Sequence, residues 1–446
     1  MNISIITVFP QLYDSFLQTS LIKIAQEKGI VNFNIINVSD FCSPKERLDE
    51  PSCGPGAGMI LKPDIVASAI DDCEKKWGKG FKIFFSPQGK KLDQPFLKKL
   101  SQKLFSYSLE QKESEQNKKS KKHIILICSR YEGMDERVEN YYADEIISIG
   151  DYVLMGGDLP AQVFIEGILR LLPGIVGNEE SVKNESFEGP FLDYPEYGLP
   201  KAWRGLQVPE VVLSGNHAAI KKYREEKAAK KTVLNRFDWF VNHAKEEKDL
   251  NLSKKFIPNH YVALMHTQIL LKQGEEGDSS ITSIDIHDIA RSSATYGINN
   301  FFIVSRLEDQ HCIMKRFLKF WKSDEGFKYN PVRFEAVSRI IPTHNLQEVI
   351  ENITQKEGKA PLVVSTSAQK NSTNTQIDFF SQEKLWKKEQ PVLFIFGTAH
   401  GLSESVLKKC DYMLLPIEGM TNFNHLSVRS AVAVVLDRWL GLNTKI

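Results

Sequence analysis

Short apolar runs rich in β-branched residues recur along this chain, and each run is followed by a loop and then by a stretch with helical periodicity. The first run, residues 3–8, precedes Pro10 and a helical pattern that continues through Ile22 and Ala25. Strands that alternate with helices in this way are typical of parallel sheets whose faces are covered by helices. The pattern therefore predicts an α/β fold with mainly parallel sheets.

The same pattern occurs in two blocks that are separated by polar sequence. Residues 174–198 are rich in Asn, Glu, Ser and Gly, and charge is dense again at residues 245–255, as is typical of linkers and domain boundaries. We therefore predict an α/β domain at residues 1–175, a flexible linker with a helical segment at 176–250, and a second α/β domain at 256–446. The predicted strands include residues 81–85, 124–128, 261–265, 301–304, 362–364 and 392–396, and the predicted helices include residues 94–104, 160–170, 286–296 and 427–440.

Charge and cysteine content limit the classes of protein to consider. The net charge is only +1, so a nucleic-acid partner would have to be met by local basic patches. The six cysteines are widely spaced and form no CxxC pair, which is typical of reduced thiols in a cytoplasmic protein. The N-terminus resembles a first strand and no apolar run is long enough to span a membrane, so we expect neither a secretory signal nor a membrane partner.

In the first block, residues 148–160 form a short apolar run that contains three glycines and a proline. Glycines let the backbone approach a flat ligand closely, and the free amides and carbonyls of such a loop can hydrogen-bond to it. Two further loops, at Ser86 and Ser129, follow predicted strands. Because ligands of open parallel sheets bind at the carboxyl ends of the strands, we expect the three loops to form one pocket.

Other motifs in the chain are weak or missing. Residues 54–58 contain a GxGxG pattern, but Pro51, Ser52 and Cys53 before it do not form the strand that a dinucleotide-binding fingerprint requires. We interpret this stretch as a flexible glycine loop that closes over a site. The sequence also lacks a P-loop, an HExxH motif and a cysteine cluster, so nucleotide hydrolysis and zinc chemistry have no sequence support.

Two polar stretches have two interpretations each. Residues 106–122 are a solvated insertion or, as the minority interpretation, a basic arm that contacts RNA. The helical stretch after Ser214 carries basic residues that alternate with acidic ones, which suits either a solvated face or a surface that touches phosphates. For Asn216 and His217 at its start, a helix cap competes with a contact to RNA.

Four long blocks of the sequence resemble the bacterial tRNA (guanine-N1)-methyltransferases. They are residues 86–94, 130–138, 148–160 and 208–217, and they follow the order of that family. The resemblance implies a trefoil-knotted fold of the SPOUT superfamily, S-adenosylmethionine as methyl donor, a homodimer, and the guanosine at position 37 of tRNA as acceptor. We accordingly predict that the helical segment at 176–250 is a tRNA-binding domain. The resemblance also implies a dependence on Mg2+, for which the sequence shows no ligand motif.

The same resemblance assigns residues to a donor site between the three loops. The adenosine would be held by the backbone of residues 149–154, and Ser129 stands where the family usually has glycine. The residues implied in donor binding are Ser86, Pro87, Gln88, Ser129, Tyr131, Glu132, Gly133, Ile149, Gly150, Asp151, Tyr152, Val153, Leu154, Gly156 and Gly157.

Methyl transfer to guanine N1 requires two catalytic groups. N1 carries a proton at neutral pH, so a base must remove it and a cation must stabilise the charge that moves onto O6. The resemblance assigns the cation to Arg170 and the base to Glu185, where the family normally has aspartate. The extra methylene adds about 1.5 Å of reach, which a flexible linker can absorb. Asp193 is the alternative base.

The second block resembles a different group of knotted RNA methyltransferases. Residues 396–403, 415–419 and 426–431 look like the donor-binding end of SpoU-type enzymes, and more closely like a family of predicted knotted RNA methyltransferases. The donor contacts implied by this resemblance are Gly397, Gly401, Ile417 and Leu426.

Several roles in the second block stay open at the level of sequence. Arg291 is either an arginine that activates or holds RNA or an ordinary surface residue of a helix, and His400 is either part of the donor loop or a structural turn histidine. The usual Ser-Leu-Asn motif is replaced by His425, Leu426 and Ser427, which leaves the chemistry unassigned. We predict a domain that binds S-adenosylmethionine and acts on RNA; the alternative is a non-catalytic module for RNA binding or dimerisation.

Overall fold

The computed structural model contains two compact units, Met1–Glu188 and Gly189–Ile446. It describes residues 1–54, 58–106, 123–176, 185–272, 274–369 and 374–443. Parts of three predicted features lie outside the described residues: the polar insertion beyond residue 106, the middle of the glycine loop at 54–58, and residues 177–184 of the linker.

The strands of the first unit are β1 (Asn2–Thr7), β2 (Asn32–Asn37), β3 (Asp49–Pro51), β4 (Met59–Leu61), β5 (Phe81–Lys91), β6 (His123–Ile127) and β7 (Glu145–Ser148). Five of them form a parallel sheet in the order β2-β1-β6-β5-β7, and β3 and β4 form a small antiparallel pair. β5 is longer than predicted because Lys90 and Lys91 pair with β7 again after an irregularity. All carboxyl ends of the main sheet therefore lie at one edge.

The helices of the first unit are α1 (Asp14–Leu17), α2 (Ser20–Glu27), α3 (Pro63–Trp77), α4 (Gln94–Ser106), α5 (Glu136–Tyr142) and α6 (Asp158–Leu169), with 3-10 helices at Pro10–Tyr13 and Val38–Phe41. α4 and α6 cover one face of the sheet, where Leu100 and Phe164 are buried. α3 and α5 cover the other face with Ile70 and Val138. Side chains of the strands alternate between these two cores, as the period of two requires.

The strands of the second unit are β8 (Ala202–Trp203), β9 (Leu206–Gln207), β10 (His260–Met265), β11 (Thr267–Leu270), β12 (Glu276–Asp278), β13 (Phe301–Val304), β14 (Ile340–Thr343), β15 (Leu362–Thr366), β16 (Thr375–Ile377), β17 (Val392–Gly397) and β18 (Tyr412–Leu414). Seven of them form a parallel sheet in the order β14-β13-β10-β17-β15-β18-β16. The remaining four form two antiparallel pairs, β8 with β9 and β11 with β12.

The helices of the second unit are α7 (Glu210–Leu213), α8 (His217–Asn235), α9 (Phe237–His243), α10 (Glu247–Lys254), α11 (Ser283–Thr295), α12 (Glu308–Trp321), α13 (Asp324–Tyr329), α14 (Pro331–Ser338), α15 (Leu346–Glu357), α16 (Gln382–Trp386), α17 (Glu404–Leu407) and α18 (Val428–Leu440). One face of the sheet packs against α11, α12, α14 and α18, with Ile289 and Leu436 fully buried. The other face packs against α15 and α17 through Val349 and Val406.

The helical segment α8–α9 shares the core of the second parallel sheet. Val233 of α8 is fully buried in the same cluster as Val262 of β10. The ring of Phe237 meets the indole of Trp386 edge to face, with centroids 4.7 Å apart. At the rim, Lys230 Nζ lies 2.9 Å from Glu389 Oε1. The segment is therefore integrated into the second unit through a buried apolar contact.

A neutral histidine lies at the start of the central strand of the second sheet. His260 is 3% exposed, and its Nδ1 donates to the carbonyl of Pro258 at 2.7 Å. Its Nε2 accepts from the indole N–H groups of Trp386 at 3.2 Å and Trp439 at 3.0 Å. Burial lowers the pKa of His260 to about 4. Protonation would add a hydrogen to Nε2, which already accepts from two indole N–H groups. The folded unit therefore requires the neutral imidazole.

The predicted α/β architecture is confirmed in both halves, including the strand at residues 301–304, whereas the trefoil knot stays a prediction. The edge strand β2 was missed, because three asparagines in six residues conceal its apolar character. The helix predicted at 286–296 begins at Ser283, because the Thr282 side chain caps it. Within the described residues, none of the helices is both long and apolar enough for a membrane span.

We predict that acid destabilises the second unit through His260. An unfolded histidine titrates near 6.5, so the unfolded state binds more protons than the folded state between about pH 6.5 and pH 4, and stability falls as the pH is lowered through that range. From pH 7 to pH 5, His260 should contribute a loss of about 2 kcal/mol. Urea unfolding followed by tryptophan fluorescence measures this loss, since five of the six tryptophans lie in the second unit.

His260→Gln is the matched variant for this measurement. The glutamine side chain keeps an acceptor for the indoles but does not titrate, so the variant should be less stable at pH 7 and should lose about 2 kcal/mol less than wild type on going to pH 5. The same pH dependence in both proteins would contradict the assignment to His260.

Candidate active site

One cavity in the first unit is formed by the three loops that were expected to meet. Its volume is about 480 Å³, and it lies where β6 and β7 end and where β5 is interrupted. Asp151 is not part of the lining, and its carboxylate accepts from Lys91 Nζ at 2.8 Å. All other residues predicted for donor binding in this unit line the cavity, together with Phe85, Met134, Glu136, Glu139, Ile147, Ser148 and Pro160. Their roles toward a ligand stay predictions.

The loop between β7 and α6 offers unused backbone donors to this cavity. The N–H groups of Tyr152, Val153 and Leu154 donate to no protein group within the described part of the chain. Behind them the loop is packed tightly, since a Cβ at Gly157 would lie 3.0 Å from the backbone of Cys128. A larger residue at position 157 would push the loop away from β6 and open the wall of the cavity.

A buried carboxylate directly after this loop attaches it to the sheet. Asp158 is 1% exposed, and its Oδ1 accepts from Thr7 Oγ1 at 2.5 Å and from the Tyr13 hydroxyl at 3.2 Å. Its Oδ2 is paired with Arg130 Nε at 3.1 Å. The Arg130 guanidinium in turn lies 4.5 Å from the ring centroid of Phe9. A buried charge persists when it is paired and hydrogen-bonded in this way, so the network fixes the start of α6 to the ends of β1 and β6.

Sequence analysis did not identify this network. Thr7 and Asp158 are 151 positions apart, and no local motif links them. The one local signal was a carboxylate at the first position of a helix that is otherwise mostly apolar. Burial also raises the pKa of the neighbouring Cys128 thiol and Tyr13 hydroxyl, with Asp158 adding to both effects, so these two groups stay neutral beside the carboxylate.

Part of the cavity lining is acidic. Glu132, Glu136 and Glu139 all line it. Burial raises the pKa of Glu139, while Gln88 Nε2 donates to its Oε2 at 3.2 Å. Gly58 lies against this part of the lining, because a Cβ there would be 2.4 Å from Glu132 Cγ. The cavity is therefore suited to a ligand that carries positive charge at one point.

The two predicted catalytic residues form an ion pair with each other. Arg170 Nη2 donates to Glu185 Oε1 at 2.5 Å, and both side chains are partly exposed. Neither residue lines the cavity of its own chain. Asp193, the alternative base, belongs to the second unit. The structure thus brings Arg170 and Glu185 together, but apart from the predicted donor site.

An apolar groove adjoins the cavity along α6. Its volume is about 380 Å³, and it shares Ile149, Tyr152 and Leu154 with the cavity lining. Leu159 and Val163 of α6 are each at least half exposed. The groove is completed by Phe16, Gln162 and Glu166. Contiguous exposed apolar surface of this kind is typical of an interface.

The loop after β17 in the second unit is also tightly built. A Cβ at Gly397 would lie 2.6 Å from the backbone of Gly401, which itself has a φ of +106°. The N–H of His400 donates to the carbonyl of Leu270 at 3.1 Å, and the N–H of Leu270 donates to Gly401 at 2.9 Å. The backbone of His400 is therefore part of the turn. Gly397 and Gly401 meet in this loop, and their role in donor binding stays a prediction.

The other two residues predicted for the second donor site lie on a different stretch. Ile417 is partly buried against the core, and Leu426 is 47% exposed in the loop before α18. A polar chain that sequence analysis missed supports the Gly397 loop: Ser279 Oγ lies 2.7 Å from Thr398 Oγ1 and 3.0 Å from His266 Nδ1. Burial lowers the pKa of His266 to about 4, so its imidazole is neutral at pH 7.

The residues considered for RNA contact have different surroundings. The side chain of Asn216 accepts from the N–H of Ala219 at 3.1 Å, so its role as a helix cap is confirmed. His217 and Arg291 are exposed on their helices, and contact of either with RNA stays a prediction. Among the described residues, no three or more His, Cys, Asp or Glu side chains are grouped so that they could hold a metal ion.

Two family assignments cover almost the whole chain. Residues 1–105 and 106–242 match the family described as tRNA (Guanine-1)-methyltransferase TrmD. Residues 259–441 match the family described as SAM-dependent RNA methyltransferase. A solved structure described as the tRNA (m1G37) methyltransferase from Aquifex aeolicus is 32% identical, with a TM-score of 0.40, and covers 50% of this chain and 87% of that chain.

Curated relatives share either the full length or the first half. Proteins named tRNA (guanine-N(1)-)-methyltransferase from Nitratidesulfovibrio vulgaris and Oleidesulfovibrio alaskensis are 34% and 35% identical, and each match covers 99% of both chains. The protein of the same name from Carboxydothermus hydrogenoformans is 41% identical over 56% of this chain and 92% of its own. The chain therefore belongs to the tRNA (guanine-1)-methyltransferase family of S-adenosylmethionine-dependent enzymes.

Proposed function

We propose that the first unit of this protein methylates N1 of the guanosine at position 37 of tRNA, that it works as a homodimer, and that the second unit is a second S-adenosylmethionine-dependent methyltransferase acting on RNA. The observation that carries the first part is the cavity at the sheet edge, whose lining combines free backbone donors with carboxylates. The acceptor position is supported by the four sequence blocks that resemble enzymes of this specificity.

The residues around the first cavity fit S-adenosylmethionine. A flat adenine needs hydrogen-bonding groups at its edge, which the free N–H groups of residues 152–154 supply. The sulfonium and the amino group of the donor are positive, which suits the wall formed by Glu132, Glu136 and Glu139. A volume of about 480 Å³ lies in the range of small-molecule sites. When bound, the donor supplies an electrophilic methyl group.

The chain's own side chains account for the remaining catalytic tasks. Glu185 takes the N1 proton of the guanine, and Arg170 donates hydrogen bonds to O6 as negative charge develops there. In the structure these two side chains neutralise each other in the ion pair of 2.5 Å. Entry of the guanine between them would separate the pair, leaving the carboxylate free to accept and the guanidinium free to donate.

A second copy of the chain completes this site in our proposal. Arg170 and Glu185 do not line the cavity of their own chain, and the apolar groove along α6 is continuous with that cavity through Ile149, Tyr152 and Leu154. A second copy seated on the groove would cover the exposed side chains of Leu159 and Val163. The second copy would thereby bring its own Arg170 and Glu185 to the rim of this cavity.

The second unit has the features of a further donor site in its Gly397 loop. Position 397 has room for glycine alone. The loop is held by the hairpin β11–β12 and by the hydrogen bonds that link Thr398 through Ser279 to His266. A precise loop at the carboxyl end of a parallel strand is where ligands of such sheets bind. The alternative, a non-catalytic RNA-binding or dimerisation module, does not require this loop to be built so tightly.

Substitution of Glu185 tests the proposed reaction. Glu185→Gln removes the base, so the rate of N1-methylguanosine formation should fall about 100-fold or more, whereas Glu185→Asp should stay active. Mass spectrometry of nucleosides from a tRNA transcript incubated with each full-length variant measures the product. Asp193→Asn distinguishes the alternative base, and Glu196→Gln serves as an exposed control. Equal rates for wild type, Glu185→Asp and Glu185→Gln would exclude Glu185 from the role of base.

Donor stoichiometry tests the second site. Calorimetry should find two S-adenosylmethionine molecules per wild-type chain, and one each for Gly157→Val and Gly397→Val, because in both variants the added side chain collides with backbone. The surviving site in each variant reports that the rest of the chain is folded. Gly198→Ala is the control, since a Cβ there meets no atom within 4 Å. One donor per wild-type chain, lost in Gly157→Val, would support the non-catalytic alternative.

Introduction of a charge on α6 tests the dimer. Val163→Glu places a carboxylate in the apolar groove and should convert a dimer into single chains in sedimentation equilibrium. Methylation of guanosine should be lost together with the dimer, because the catalytic pair would then have no cavity beside it. Leu206→Glu is the control, as Leu206 is 70% exposed in the second unit. A Val163→Glu variant that is monomeric but fully active would contradict completion of the site by a second copy.

A further inference from the structure

Exposed aromatic rings alternate with basic side chains on α12 and α13 of the second unit. Phe320, Phe327 and Tyr329 are 47%, 50% and 73% exposed. Lys319 and Lys328 stand directly beside them in sequence and are exposed as well. We call the surface formed by these five residues the aromatic-basic face.

The local charge of this region differs from that of the whole chain. Residues 315–333 contain six basic residues and only two acidic ones, in a chain whose net charge is +1. Lys319 and Lys328 form no ion pair with any described carboxylate, and the same holds for Arg316. These cations are therefore available to a ligand with negative charge.

The rings are held in place by a buried indole. Trp321 is 7% exposed, and its ring centroid lies 5.3 Å from that of Phe320 and 5.9 Å from that of Tyr329. The guanidinium of Arg333 lies 5.4 Å from the same ring. Because the indole is fixed in the core, Phe320 and Tyr329 are held in position while a large part of each ring is left uncovered.

The turn between α12 and α13 is closely packed. A Cβ at Gly326 would lie 2.4 Å from the carbonyl oxygen of Phe320 and 2.9 Å from Trp321 Cα. The N–H of Gly326 donates to the side chain of Ser323, which caps α13. Only glycine lets α13 approach α12 closely enough for Tyr329 to reach the indole. The exposed rings are therefore part of a defined turn.

The surface extends toward the arginine that sequence analysis considered for RNA. His287 of α11 contacts the ring of Trp321 edge to face at 5.2 Å. Burial lowers the pKa of His287, and the nearby charges of Arg333 and Arg291 lower it further. Arg291 thus lies one helical turn beyond a residue that touches the aromatic cluster.

We propose that the aromatic-basic face binds unpaired nucleotides of an RNA substrate, with Phe320 and Tyr329 stacking on bases and Lys319 and Lys328 contacting phosphates. Interleaved aromatic and basic side chains are how proteins hold single-stranded RNA. A protein partner fits less well, because lysine is depleted at the centre of protein interfaces. The RNA ligand class rests on the proposed function of the second unit, whereas the location rests on the exposed rings and unpaired cations.

Affinity for a short RNA tests the stacking part. The probe is a fluorescein-labelled single-stranded RNA of mixed sequence, and its anisotropy is measured with full-length protein. Tyr329→Ala should weaken binding about 10-fold, as expected for loss of one stacked base, whereas Tyr329→Phe keeps the ring and should bind like wild type. Phe380→Ala removes an 80% exposed ring elsewhere in the second unit and should have no effect.

Salt dependence tests the phosphate part. The double variant Lys319→Glu/Lys328→Glu should lower the slope of log Kd against log salt concentration by about 1.4, the value expected for two single-stranded phosphate contacts. Lys387→Glu, an exposed lysine elsewhere in the second unit, is the matched control. An unchanged slope in the double variant would overturn the phosphate contacts.

Crosslinking locates the RNA on the chain, because the first unit also binds RNA in our proposal and the helical segment at 176–250 is predicted to contact tRNA. Ultraviolet crosslinking of a 4-thiouridine version of the probe, followed by mass spectrometry of tryptic peptides, should recover residues 320–322 and 329–333. Crosslinks confined to other peptides would overturn the proposed face. A change of oligomeric mass in Tyr329→Ala with unchanged RNA affinity would assign the face to a protein partner instead.

The number of donor molecules bound per chain distinguishes failure of this proposal from failure of the function proposed for the second unit. If wild type binds one donor per chain but the face variants still lose RNA affinity, the face stands and the second catalytic function fails. If wild type binds two donors and the face variants bind RNA normally, the second catalytic function stands and the face fails.

Discussion

The first unit depends on one negative charge that is removed from water. Asp158 is held by a hydroxyl at the end of β1, by the tyrosine hydroxyl of the first 3-10 helix and by an arginine after β6. Each of these groups comes from a different part of the chain, so the carboxylate connects elements that are far apart in sequence. Without its partners the charge would be too costly to bury, and the loop of residues 148–157 would lose its fixed end.

Local signals made the sheets and the loops predictable. Apolar β-branched runs gave the strands, and glycines at 150, 156 and 157 indicated a binding loop, which does line a cavity. The contacts of Asp158 with Thr7 and of Phe237 with Trp386 could not be predicted, because each joins residues more than 100 positions apart. The pair of Arg170 with Glu185 was anticipated only through resemblance to a family, since neither residue stands in a local pattern that requires the other.

Each half contains a tightly packed glycine loop, and the two loops are held by different residues. In both, a glycine sits where a side chain would collide with backbone: Gly157 with the end of β6 in the first unit, and Gly397 with Gly401 of its own loop in the second. The first loop is then fixed by an ion pair, whereas the second is supported by neutral hydroxyls and the imidazole of His266. Neutral polar groups cost less to bury than charges, so the two loops are stabilised by different physical means.

The packing of α8 and α9 on the second sheet restricts where the chain can be divided. A cut near residue 255 follows the polar boundary in the sequence, yet it would leave Val233 and Phe237 facing water on one fragment. On the other fragment it would uncover Trp386, whose indole donates to His260 in the central strand. A division near Gly189, between the two compact units, keeps this apolar contact intact and is the better boundary for producing the halves separately.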